Sequence, residues 1–66
     1  MNNQSRDFIR LILRSPDIGE GWRKVSDPLW KLVEAFAHQE LLEKQDSAEG
    51  KKVRLSPDGI VVARYL

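Results

Sequence analysis

The chain has 66 residues, room for one domain spanning residues 1–66 and no more. A chain of this length buries only roughly 60% of its unfolded surface, so disulfides, metals or self-association usually reinforce it. The sequence has no cysteine and one histidine, His38, which removes disulfides, thiolate metal sites and a protein-only imidazole cluster together and leaves a homodimer as the remaining route. Eleven basic residues against ten acidic ones give a net charge of +1, so no bulk attraction to nucleic acid follows. No apolar stretch approaches the length of a membrane span. The opening Met-Asn-Asn-Gln-Ser-Arg-Asp lacks the apolar core of a signal peptide. The expectation is a cytoplasmic protein with no membrane role, no metal and no small-molecule cofactor.

Residues Met1 to Gln4 are polar and read as a frayed end. Ser5 is placed to cap a first helix with Asp7 in its opening turn. Phe8, Ile9, Leu11, Ile12 and Leu13 give it a wide apolar face, and Arg6, Arg10 and Arg14 form a stripe four residues apart towards solvent. Ser15-Pro16 ends the helix, because the residue before proline avoids helical angles. Pro16 to Gly21 is a connector. A phosphate cradle would need a glycine-rich turn opening a helix after a strand, and here Glu20 separates the glycines while extended residues follow. Trp22 to Val25 reads as a very short strand set against a later hairpin, with Trp22 turned in and Arg23 out.

Ser26-Asp27-Pro28 starts a second helix, with Ser26 or Asp27 as cap and proline in the first turn. A Ser26 cap places Val25 and Trp30 as a hydrophobic staple. Leu29, Leu32, Val33, Phe36 and Ala37 share the expected inner face, with Lys31 and Glu34 opposite. A break is expected at His38-Gln39-Glu40. Leu41 to Gln45 and Lys51 to Leu55 then read as two strands joined by the polar linker Asp46-Ser47-Ala48-Glu49-Gly50. Ser56-Pro57-Asp58-Gly59 has two readings. As a type I turn it makes residues 60–66 a third strand, which the β-branched run Ile60-Val61-Val62 favours. As a helix start, with Ser56 capping and Pro57 first, it turns Val61, Val62, Tyr65 and Leu66 inward.

From Leu29 onward, more than half of the chain resembles the back half of winged-helix domains, including regulators of the multiple-antibiotic-resistance type. Those families show a helix, a small turn, a "Gly-Leu-Ile/Leu-Glu" strand, a charged wing, a strand ending in "Val-x-Leu-Thr", then "Pro-x-Gly" opening a last helix. The matching residues are Leu32 to Phe36, Glu40-Leu41-Leu42-Glu43-Lys44 and Lys52-Val53-Arg54-Leu55-Ser56-Pro57-Asp58-Gly59. The resemblance implies an α+β winged-helix-like domain of two helices, a β-hairpin wing and a short C-terminal helix. Two departures stand out: Glu40 occupies a position where glycine is common, and only the loop from Pro16 to Val25 stands where the front helix of a helix-turn-helix pair belongs.

A recognition helix made from residues 27–38 would present Asp27, Lys31, Glu34 and His38, a poor phosphate-facing set because each carboxylate repels the backbone. The wing lysines and arginine Lys51, Lys52 and Arg54 are the better candidates, with Arg6, Arg10 and Arg14, Lys31 and the Arg23-Lys24 pair as further basic groups. The plain reading is a solvated face balanced by Glu43, Asp46 and Glu49. No enzymatic constellation is evident: His38 lacks a nucleophile with an orienting acid, and Glu40 and Glu43 fall on a solvated turn and strand. Trp30 and Tyr65 are candidate anchors for a protein partner, where tryptophan is enriched. The expected function is a non-enzymatic binding domain contacting DNA through its wing. The alternative is a protein-interaction module of the same fold.

Overall fold

The computed structural model describes residues 2–66. Its elements run α1 (Asn3–Arg14), β1 (Arg23–Lys24), α2 (Asp27–Ala35), a 3-10 turn (Gln39–Leu41), β2 (Leu42–Ser47), β3 (Gly50–Leu55) and α3 (Pro57–Ala63). The strands form one antiparallel sheet in the order β1-β3-β2. This is a small α+β domain of three helices and three strands, compatible with a winged-helix-like layout.

α1 begins a turn earlier than Ser5 suggests. Asn2 is the cap, its side-chain oxygen accepting the Ser5 N–H at 2.8 Å, and asparagine caps as well as serine. Asn3 and Gln4 are therefore helical rather than frayed, and Met1 lies outside the described residues. Ser5, Ile9 and Ile12 are the buried positions. Phe8 packs at their margin and stacks on Phe36 with ring centroids 4.5 Å apart. Leu11 and Leu13 are exposed, since one helix offers the core a single stripe and five apolar residues in six positions overfill it. The helix ends at Ser15 as expected, where the Arg23 guanidinium donates to the Ser15 carbonyl, a cation at the favourable end of the dipole.

The connector folds into a tight reversal. Asp17 accepts from the Gly19 N–H at 2.7 Å, Ile18 donates to the Trp22 carbonyl at 2.8 Å, and Gly19, Glu20 and Gly21 all have positive φ. This turn feeds β1, whose two residues pair with β3 as Arg23↔Val53 and Lys24↔Lys52.

Ser26 caps α2, accepting the Leu29 N–H at 3.5 Å, with Pro28 in the first turn. Val33 and Phe36 are buried, and Leu29 and Trp30 pack against the core. The helix stops at Ala35, before the expected break, because Gln39 Nε2 donates to the carbonyls of Val33 and Phe36 at 2.8 and 2.7 Å and so satisfies its last acceptors. Ala37 consequently lies beyond the helix and is exposed, and Leu32, also expected inside, stands off the Val33 line at 53% exposure.

The hairpin is tighter than the expected five-residue linker. Leu41 closes the 3-10 turn, and the ladder then runs from Leu42↔Leu55 to Ser47↔Gly50, leaving only Ala48 and Glu49 as the turn. Neither has positive φ; Gly50 supplies it at +128°.

Of the two readings of residues 56–66, the helix holds. The Ser56 hydroxyl accepts the Gly59 N–H at 3.1 Å and donates to the Glu40 carbonyl at 2.8 Å. Val62, Ala63 and Leu66 pack against the core, whereas Val61 and Tyr65, expected inward, face solvent, Tyr65 at 84% exposure. The helix ends at Ala63, so Tyr65 is outside its inner stripe. Among the described residues no helix is long and apolar enough to cross a membrane.

Gly59 has helical backbone and is required for space. A β-carbon there would overlap the Leu41 carbonyl oxygen and lie 3.1 Å from its carbon, and that backbone cannot swing aside. Gly59→Ala should cost about 1–3 kcal/mol, the usual range for overpacking. In a domain of this size that lowers the melting temperature by roughly 4–24 °C, measurable by circular dichroism; a Tm unchanged within a degree would show that the approach is loose.

Candidate nucleic-acid interface

Alternation along β3 decides which basic side chains act together. Val53 and Leu55 are buried with Leu42 and Val25, and Lys51 shares their face. Lys52 and Arg54 are on the other face. The three sequence-derived wing residues are therefore split between two surfaces.

Lys51 is committed on the inner side. Its ammonium lies 3.4 Å from Asp27 at the start of α2 and 6.0 Å from the Trp30 ring centroid, with its side chain 31% exposed. It ties the hairpin to α2. Trp30 itself is half-buried against the core, so the indole is chiefly a packing group.

The outer face is built in two rows. In one, Arg54 makes a fork to Glu43 across the hairpin, both bonds at 3.2 Å, and donates to the Glu20 carbonyl at 3.4 Å. Its guanidinium carbon sits 4.5 Å from the Trp22 ring centroid. The geometry fixes the guanidinium plane between a carboxylate and an indole. In the next row Lys24 and Lys52 are direct cross-strand partners, with Gln45 opposite Lys52 on the other side. Lys52 also reaches to 5.8 Å from the Trp22 ring centroid. Neither lysine has a carboxylate partner among the described residues. The face thus carries Lys24, Lys52, Arg54 and the Glu43 carboxylate, with Lys52 and Arg54 beside the half-buried Trp22.

Like charges directly opposite each other in a sheet are destabilising. The Lys24–Lys52 pair keeps that cost, whereas Arg10, Lys51 and Arg54 each stand beside a carboxylate, that of Asp7, Asp27 and Glu43 respectively. The Lys24 and Lys52 side chains lean apart along the sheet, the Lys24 ammonium lying over Gly50 and that of Lys52 turning towards Trp22, so the two form successive cations of one track. Sequence reading placed Arg23 and Lys24 only as a loose second edge, and the Lys24–Lys52 register is a tertiary fact it lacked. The split of Lys51 from Lys52 and Arg54 was available in the period of two.

The remaining candidates are dispersed. Arg6, Arg10 and Arg14 lie exposed along α1, Arg10 being 3.5 Å from Asp7. Lys31 is exposed on α2 beside exposed Leu32 and Glu34. The hairpin tip is acidic, with Asp46 and Glu49 exposed at its end, so the wing's leading edge repels phosphate while its base attracts it. Tyr65 is open to solvent, on the opposite side of the chemistry from Trp30's packing role.

Two further features complete the surface. A groove of about 370 Å³ is lined by Leu13, Leu55, Pro57 and Ile60 together with the charged Glu20, Arg23, Glu43 and Arg54. His38 Nδ1 lies 3.6 Å from Glu40, and the ring meets Phe36 edge-on. Ser47 and Ser56 spend their hydroxyl protons on the carbonyls of Gly50 and Glu40. Among the described residues no three His, Asp or Glu side chains converge to hold a metal ion.

Comparison of the chain with protein-family models, with curated proteins and with solved structures found no match.

Removing one member of the like-charge pair should stabilise the free protein. Lys24→Gln is expected to raise stability by about 0.2–1 kcal/mol at low salt, with the gain vanishing near 1 M salt, where the screening length is about 3 Å. Urea unfolding at both ionic strengths reads this directly. A loss of stability at low salt would mean that Lys24 is satisfied by its surroundings.

Proposed function

We propose that this chain is a non-enzymatic, winged-helix-like domain that binds nucleic acid through the base of its wing. The observation that carries the reading is the facing Lys24–Lys52 pair, two lysines in register across β1 and β3, neither ion-paired with a carboxylate among the described residues. A phosphodiester relieves that repulsion and gains two charge-assisted contacts. Arg54 and Trp22 border the pair, which adds a fixed guanidinium and an aromatic group to the same surface. The overall charge of +1 is no obstacle, because binding follows the local arrangement of cations rather than their sum.

The test is affinity for mixed-sequence oligonucleotides, single- and double-stranded, as a function of salt. Each phosphate contact contributes about 0.7–0.9 to the slope of log affinity against log salt. A Lys24→Ala/Lys52→Ala protein should lose about 1–2 units of slope. Lys51→Ala, which removes a side chain already engaged by Asp27, should leave the slope unchanged. If the double variant binds like wild type, the lysine pair is not the contact.

A second reading, a protein-interaction module of the same fold, is favoured by the groove beside Leu13 and Ile60, by exposed Val61 on α3 and by exposed Tyr65 just beyond the helix. It predicts that Ile60→Asp abolishes complex formation or self-association in sedimentation experiments while melting stays cooperative. Unaltered sedimentation of wild type and variant, at all concentrations and with cell extract, would remove it.

A further inference from the structure

We infer that the outer face of the sheet takes single-stranded rather than double-stranded nucleic acid, with a base stacked on the Arg54–Trp22 pair, the neighbouring phosphate at Lys52 and the backbone continuing past Lys24. This rests on the nucleic-acid reading above and specifies its ligand. Duplex recognition needs an element that enters a groove, usually a helix or a two-stranded ribbon. The helical element before β2 is a three-residue 3-10 turn, too short to lie in a groove. The solvent side of α2 offers Asp27, Lys31, Leu32 and Glu34, one cation against two carboxylates. The ribbon ends in Asp46 and Glu49, which would meet duplex phosphates first.

The outer face, by contrast, has the two components that single-strand binders combine, a cationic track and a planar group for bases. Ile9, Ile12, Val33, Val53 and Leu55 are all buried in one cluster on the inner side of the sheet, so no helix core covers the outer side. Arg54 is locked by its fork to Glu43, which presents its plane against Trp22 without further ordering. Arginine planes and indoles both stack splayed bases, and stacking tolerates any base. Gln45, on the same row as Lys52, adds a donor and an acceptor for a base edge. Charge complementarity selects this occupant: Lys52 and Arg54 stand at the indole, Lys24 continues the cationic row, and the Glu43 carboxylate is neutralised by Arg54.

The experiment is an NMR titration of the labelled wild-type chain with a 12-nucleotide oligothymidine and, separately, a mixed 12-base-pair duplex, at about 50 and 200 mM salt. The expected result is single-strand binding at least about tenfold tighter than duplex binding, with the Trp22 indole N–H and the amides of Lys24 and Lys52 moving together. Trp22→Leu should then weaken single-strand binding by about tenfold or more, the usual effect of losing one stacked base. Equal or tighter duplex binding overturns the single-strand assignment and leaves the nucleic-acid reading standing. Shifts at Lys24 and Lys52 with a stationary Trp22 indole overturn the stacking. An unchanged spectrum with both oligonucleotides overturns the inference and the reading beneath it. The wild-type indole signal keeps the test decisive even if Trp22→Leu does not fold.

Discussion

The close approach of the α3 amino terminus to the backbone of Glu40 and Leu41 closes this domain. Ser56 donates its N–H to the Leu41 carbonyl at 2.9 Å and its hydroxyl to the Glu40 carbonyl, while accepting from Gly59. One residue therefore ends β3, starts α3 and ties both to the turn that precedes β2. Ser56 is buried, and a buried polar group left without its partner costs about 1–3 kcal/mol, a large share of the margin of so short a chain. Gly59 makes the approach sterically possible. With this junction in place, Leu41, Leu42 and Leu55 are drawn into the cluster that Ile9, Ile12, Val33 and Val53 complete.

β3 is the axis of the arrangement because both other strands pair with it. Its two faces serve different purposes. The inner side carries Val53 and Leu55 into the core and lets Lys51 neutralise Asp27. The outer side gathers Lys24, Lys52, Arg54 and Trp22. The near-neutral sum of charges hides this segregation, since Glu34, Asp46, Glu49 and Asp58 are exposed elsewhere.

What the sequence disclosed was local. Ser26-Asp27-Pro28 and Ser56-Pro57-Asp58-Gly59 announce helix starts because capping uses side chains a few residues apart. The two hairpin strands are likewise visible through alternation, but in the Trp22 to Val25 segment the faces are reversed: Trp22, expected inward, lies with Lys52 and Arg54 on the outer face, and Arg23 pairs with buried Val53. The errors arise where a distant partner decides. Gln39 ends α2 by reaching back to Val33 and Phe36, which no propensity at Phe36 foretells. Leu11, Leu13, Leu32 and Val61 lie outside because the sequence holds more helix-spaced apolar residues than this small core has places for. Of the candidate site, Lys52 and Arg54 were legible as basic wing residues. Their company, Lys24 and Trp22, depended on the register of a strand only two residues long.

That brevity has a dynamic consequence. Local openings cost least where pairing is short and exposed, and most in the central strand. β1 meets β3 through Arg23 and Lys24 only, helped by the Val25 N–H donating to the Lys51 carbonyl at 3.0 Å, with a single bridge from Arg23 to Asp17 on its other side. One of its two residues is the lysine that faces Lys52. Electrostatic repulsion thus acts on the short outer strand of the sheet, and an anion that bridges the two lysines would fasten it to β3. Amide exchange in residues 23–25 would then follow ionic conditions, while Val53, paired on both sides, reports the unfolding of the whole.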